Sequence, residues 1–113
     1  MNKIDLSNVQ FAFVCSPFSG DVASNLAYAK DCAKLTLAMG YVPVAPHMYY
    51  PQFLDDNDEH ERELGLQLGR QAMLERCCCC LCFEDNGISE GMKGDIAFAQ
   101  ENDIPVKHVL ISG

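Results

Sequence analysis

A chain of 113 residues is long enough for one compact domain with one core and too short for two ordinary ones, so residues 1–113 are read as a single domain. Its 49% apolar and 21% charged residues are the balance of a globular protein, which excludes a disordered or fibrous class. Sixteen acidic against eight basic side chains give a net charge of −8, which repels polyanions and argues against DNA or RNA as partner. A small anionic ligand stays compatible, because a helix N-terminus and a few backbone N–H groups hold a phosphate without a basic patch. The first ten residues, MNKIDLSNVQ, lack the apolar core of an export signal. No apolar run approaches the roughly 20 residues of a membrane span. The expected setting is therefore cytoplasmic, with no membrane partner.

In chain order, VQFAFVC (Val9 to Cys15) reads as a first strand and SPFSGD as a turn punctuated by Pro and Gly. From Val22, the apolar residues Leu26, Ala29, Ala33 and Leu37 follow at helical steps, and Gly40 supplies the stop. YVPVAPH is a short strand whose prolines suggest a sheet edge. Met48 to Asp58 reads as a long loop, a feature often tied to function in small folds. Asp58 is positioned to cap a helix reaching Arg76, with Leu64, Leu68 and Ala72 on one stripe and acidic residues complementing the dipole at its start. A strand through RCCCCLCF, the turn EDNGIS, a helix from about Glu90 to Asn102 and a last strand in PVKHVLI complete the order βαβαβαβ. Such alternation implies an α/β fold with a small parallel sheet and helices on both faces, binding ligands beyond the carboxyl ends of its strands.

Five of the seven cysteines fall between Cys77 and Cys82. Adjacent strand residues point to opposite faces and cannot converge on one metal, and Cys15, Cys32, His47, His60 and His108 show no paired spacing. In a reducing compartment disulfides do not persist. The run therefore reads as a buried central strand built from small apolar thiols, and no metal is expected.

The loops Ser16 to Val22, Pro46 to Asp58 and Glu84 to Glu90 lie where a ligand would bind. No G-x-G-x-x-G, P-loop or G-x-S-x-G signature is present, so no cofactor is expected. In GISEGMKGDIAFA, Ser89 is a candidate N-cap, and Met92, Asp95, Ile96 and Ala99 recur at helical steps on one stripe. Asp95 admits two roles: a rim carboxylate complementing the helix dipole, or a carboxylate held in the cleft between Gly91 and Gly94. His47 likewise reads as either a strand-closing or a functional histidine. Phe18, Tyr49 and Tyr50 are stacking or packing aromatics.

The motifs SPFSGD, PVAPH, FLDD, ERELGL and ISEGMKGDIAFA, in that order, resemble the nucleoside 2-deoxyribosyltransferase superfamily, and more closely a branch of small proteins common in phages and gut bacteria. The resemblance covers nearly the whole chain. It implies a Rossmann-like or flavodoxin-like sheet, a nucleoside or nucleotide as small-molecule partner, and a homodimer or higher homo-oligomer. By resemblance, Asp95 falls where catalytic members place a nucleophilic glutamate and Ser89 where monophosphate-cleaving members bind phosphate. His47 falls on the histidine ending the second strand, and Ser16, Phe18, Ser19 and Gly20 on the loop receiving sugar and phosphate. Two departures stand out: Asp95 is one methylene shorter than glutamate, and Cys78 replaces an aspartate usual in that strand.

The implied activity is N-glycosidic bond hydrolysis or deoxyribosyl transfer. Asp95 would act as nucleophile, and His47, ahead of Asp55 or Asp56, would supply the leaving base with a proton. Ser89 and Gly91 would line the substrate site. The alternative is a non-catalytic nucleotide-binding or nucleotide-sequestering protein of phage or mobile-element type, and a third is an interaction subunit with a vestigial cleft.

Overall fold

The computed structural model describes residues 7–17 and 21–112. Its elements are β1 (Phe11–Cys15), α1 (Val22–Ala38), β2 (Val42–Val44), α2 (Pro46–Tyr49), a 3-10 turn (Tyr50–Gln52), α3 (Glu59–Arg76), β3 (Cys77–Phe83), α4 (Glu90–Glu101) and β4 (Val106–Val109). The four strands form one parallel sheet in the order β2-β1-β3-β4. The α/β class and the parallel sheet expected from alternation are thus observed. No helix among the described residues is long and apolar enough to cross a membrane.

The cysteine run is β3, a central strand between β1 and β4. Cys79, Leu81 and Phe83 join Ala12, Val14 and Cys32 in one apolar cluster, which Tyr28 and Leu35 of α1 flank. Cys80 and Cys82 join Phe13, Cys15, Met73, Met92 and Ala99 in the other, beneath α3 and α4. The sheet is therefore covered on both faces, and each face uses every second residue of its strands. All seven cysteines are free thiols. Burial pushes Cys32 and Cys77 up to about 12 and Cys79 up to about 11, so these thiols stay neutral and pack as apolar side chains at physiological pH.

The register breaks once. Phe11 pairs with Cys77 but Ala12 pairs with Cys79, leaving Cys78 as the extra residue of a bulge. Cys78 is exposed, at the start of β3, whereas ligands in this topology bind beyond the strand's other end. The side chain at position 78 therefore makes no contact with a site at the carboxyl ends.

Two expected helix faces are corrected. On α1 Ala29 is buried as expected, but Ala33 and Leu37 are only half-buried and Leu26 is exposed, while Cys32 and Thr36 are buried instead. On α3, Leu64 and Leu68 are exposed and the buried residues are Gly69 and Met73. Hydropathy favours the leucines, but the inward face of α3 is narrow and carries glycines because another helix lies close against it. The caps agree with expectation: Asp58 accepts from His60 N–H and Glu61 N–H at 2.9 and 3.2 Å, Ser89 accepts from Met92 N–H at 3.3 Å, and Gly40 takes φ +96° after α1. YVPVAPH does not remain extended to its histidine. β2 ends at Val44, and Pro46, whose fixed φ suits a first helical position, opens α2. The expected loop after Met48 accordingly contains the end of α2 and the 3-10 turn.

Asp85, just beyond β3, ties three parts of the chain together. Its carboxylate accepts from Tyr28 Oη–H at 2.6 Å, from the N–H groups of Ile111 and Ser112 at 3.0 and 3.1 Å, and from Ser112 Oγ–H at 2.9 Å. The Tyr28 bond, followed by the bond from Ile111 N–H, holds this carboxyl well below the usual carboxylate range. A carboxyl with a depressed folded-state pKa adds stability above its unfolded pKa of about 4, and loses it as pH falls toward the folded value. Asp85→Asn is accordingly expected to lower the melting temperature at pH 7, with the gap from wild type narrowing as pH falls below about 4. Parallel melting curves over the whole acid range would contradict this linkage.

Candidate functional site

The chain runs from β1 outward to β2 and then returns to place β3 on the other side of β1. The strand order reverses at that point, and the segments leaving the carboxyl ends of β1 and β3 diverge and open a crevice. A hollow of about 110 Å³ lies here, lined by Ser16 after β1, by Pro46, His47 and Tyr50 after β2, and by Ser89, Glu90, Gly91 and Met92 at the start of α4. Leu54, Asp56, Glu61, Arg62, Gly65 and Leu66 close the side formed by the long connection and α3. At about 30 Å³ per water, the hollow holds a few waters or one ring-sized group, and a larger ligand would extend through its mouth.

Asp95 lies in the second turn of α4, on the inward stripe with Met92 and Ala99, and is only 2% exposed. That burial excludes the rim role. A carboxylate out of water needs a partner, and Arg70 supplies one: its Nε–H donates to Asp95 Oδ1 at 3.2 Å. The second oxygen, Oδ2, is 3.6 Å from His47 Nε2 and has no hydrogen-bond partner among the described residues. Ser16 Oγ is also buried without a partner among them. Two orphan oxygens at the reversal point of a sheet are unusual in a folded protein, where buried polar atoms are nearly always satisfied.

Two glycines make this arrangement possible. A Cβ on Gly69 would stand 2.9 Å from Pro46 Cγ, so the absence of a side chain lets α2 lie against α3 and brings His47 inward. A Cβ on Gly94 would stand 2.6 Å from Arg70 Nη2, so Gly94 makes room for the guanidinium that holds Asp95. Gly94, expected to flank an open cleft, instead has its space filled by Arg70. A Cβ on Gly91 would meet nothing within 4 Å, and Gly91 does border the hollow.

Of the residues singled out in the sequence, Ser16, His47, Ser89 and Gly91 line the hollow. Asp95 sits behind this lining, joined to it through His47. Phe18, Ser19 and Gly20 lie outside the described residues. Tyr50 lines the hollow, while Tyr49 is 60% exposed and meets Tyr50 and Phe53 edge-on. Asp55 is exposed and bonds the N–H of Asn57, whereas Asp56 faces the mouth 3.9 Å from Arg62.

Arg70 is the site residue that the sequence reading misses. Its signal is present all the same: a cation at helical steps from Leu66 and Met73, on the inward face of α3, matches the anion at Asp95 on the inward face of α4.

Residues 10–109 match the family model described as Domain of unknown function (DUF7768). The chain belongs to that family. The span of the DUF7768 match takes in all four strands and every residue that lines the hollow. No curated protein matches the chain.

Two outcomes follow for this DUF7768 member. Arg70→Ala leaves a buried charge uncompensated and is expected to cost about 3–5 kcal/mol in urea unfolding, part of which returns on adding Asp95→Asn. If Asp95→Asn restores nothing, the pair is not what stabilises the site. Gly69→Ala forces α2 off α3 and is expected to cost about 1–3 kcal/mol by the same measurement.

Proposed function

We propose that the protein acts on the N-glycosidic bond of a nucleoside or nucleotide, by hydrolysis or transfer of the sugar, with Asp95 as nucleophile. The observation that carries this reading is the asymmetry of the Asp95 carboxylate. Arg70 fixes Oδ1, while Oδ2 is left without a hydrogen bond beside His47, at the reversal point of the sheet. The strand order β2-β1-β3-β4 matches the first four strands of the flavodoxin-like order, which supports the Rossmann-like reading and the resemblance to the nucleoside 2-deoxyribosyltransferase superfamily.

In the proposed step Oδ2 attacks the anomeric carbon as the C–N bond breaks. The bonding pair leaves with the base, which takes a proton from protonated His47, and a glycosyl ester remains on Asp95. Water, or the hydroxyl or ring nitrogen of an acceptor, then attacks the anomeric carbon. It loses its proton to His47 and releases the carboxylate. Arg70 orients the acid, and its pairing with Oδ1 directs attack to Oδ2. Ser16 and Ser89 offer hydroxyls to the sugar or a phosphate, and Tyr50 offers a ring face to the base. His47 borders both Oδ2 and the hollow, so it stands on the path by which a sugar would reach the carboxylate.

A second reading, a nucleotide-binding protein without turnover, is favoured by one observation: Asp95 does not itself border the hollow. Under either reading, the exposed Tyr49, Phe53, Leu64 and Leu68 support self-association, as a homodimer or larger assembly. Seven free thiols support a cytoplasmic setting.

Chromatography of a nucleoside and nucleotide panel incubated with the protein tests the proposal. Release of free base is expected, abolished in Asp95→Asn and reduced about 10²- to 10⁴-fold in His47→Ala. Thermal stabilisation by a panel member without base release selects the binder. Release that persists in Asp95→Asn removes Asp95 as nucleophile, and a panel with neither product nor stabilisation rejects both readings.

A further inference from the structure

We infer that Cys82, Glu84 and His108 form a binding site for a divalent zinc-type metal ion at the β3–β4 edge of the sheet. None of the three borders the hollow, so this inference does not depend on the proposed glycosidic chemistry.

Strand geometry brings the donors together. Cys82 and His108 are directly paired in the parallel register of β3 and β4, so their side chains stand on the same face. Glu84 is two residues beyond Cys82 and projects to that face as well. Its N–H donates to Val109 O at 3.2 Å, which holds the chain against β4 just past the end of β3. One donor atom from each residue, a thiol sulfur, a carboxylate oxygen and an imidazole nitrogen, lies within 4.8 Å of the other two. Within the set, His108 Nδ1 and Glu84 Oε2 are 3.2 Å apart. Metal–ligand bonds of about 2.0–2.3 Å in a tetrahedron place the ligand atoms about 3.3–3.7 Å apart, so small rotations close the set around an ion.

The donor types narrow the metal. One thiolate, one imidazole and one carboxylate suit Zn²⁺, while Mg²⁺ and Ca²⁺ require oxygen alone. Three protein ligands leave a fourth position for water or an added ligand. Access is from solvent, since the His108 and Glu84 side chains are 54% and 30% exposed, while Cys82 is fully buried below them. Sequence spacing hides this set. A reading for paired motifs rejects a metal because neighbouring cysteines diverge, but the ligands come from Cys82 near the end of β3, Glu84 two residues on and just past the strand, and a register partner 26 residues after Cys82, which only the sheet pairing reveals.

The test is equilibrium dialysis of the reduced, chelator-treated protein against Zn²⁺, with Co²⁺ as a spectroscopic substitute. One equivalent of Zn²⁺ is expected, together with a thiolate-to-cobalt charge-transfer band. His108→Ala and Glu84→Gln, both at exposed or half-exposed positions, should each weaken binding about tenfold or more. Cys82→Ser should remove the band, and Cys78→Ser, at the exposed thiol of the run, should leave it intact. Absence of binding, affinity unchanged in His108→Ala, or a band lost with Cys78→Ser each overturns the assignment.

Discussion

The Arg70–Asp95 pair is the constraint around which the rest of the site is arranged. A carboxylate that is 2% exposed is costly unless a cation and hydrogen bonds replace its water. Meeting that requirement draws α3 and α4 together at Gly94, where the guanidinium needs the volume a side chain would fill. It leaves one carboxylate oxygen committed and the other beside a histidine. The placement of His47 depends in turn on the contact of Pro46 with Gly69, so two glycines on neighbouring helices determine what the acid faces.

The same geometry links the fold to the proposed chemistry. The hollow lies where the strand order reverses, and the three segments leaving β1, β2 and β3 each contribute a polar side chain: Ser16, His47 and Ser89. Helix caps and strand ends deliver those groups, so the site is assembled from rigid termini, with the longer connection closing one side. Ser89 serves both needs, capping α4 through Met92 N–H while facing the hollow. Its hydroxyl hydrogen stays available to a ligand because the cap uses only an oxygen lone pair.

Much of the architecture is legible in the sequence because period and punctuation agree. The thiol run reads as a buried strand from its continuous apolar character, and Asp58, Ser89 and Gly40 mark helix ends through side chains suited to those backbone positions. The inward aspartate of α4 is visible in its spacing from Met92 and Ala99. The errors arise where tertiary contact overrides hydropathy. Leu64 and Leu68 look like core but face outward, because close helix approach selects Gly69 for the inner position. His47 reads as the end of a strand, although Pro46 has already begun a helical turn. Arg70 is easily missed because a lone arginine in a helix resembles a solvated one until its partner is known.

The bulge at Cys78 has a consequence for how the sheet is assembled. Four identical residues run from Cys77 to Cys80, so sliding this stretch by one position puts sulfur where sulfur already was. Side chains in the run therefore carry almost no information about alignment, and that information is concentrated in Leu81 and Phe83. Both belong to the α1 side of the core, so the first helix of the chain sets the phase of the strand built from its least distinctive letters.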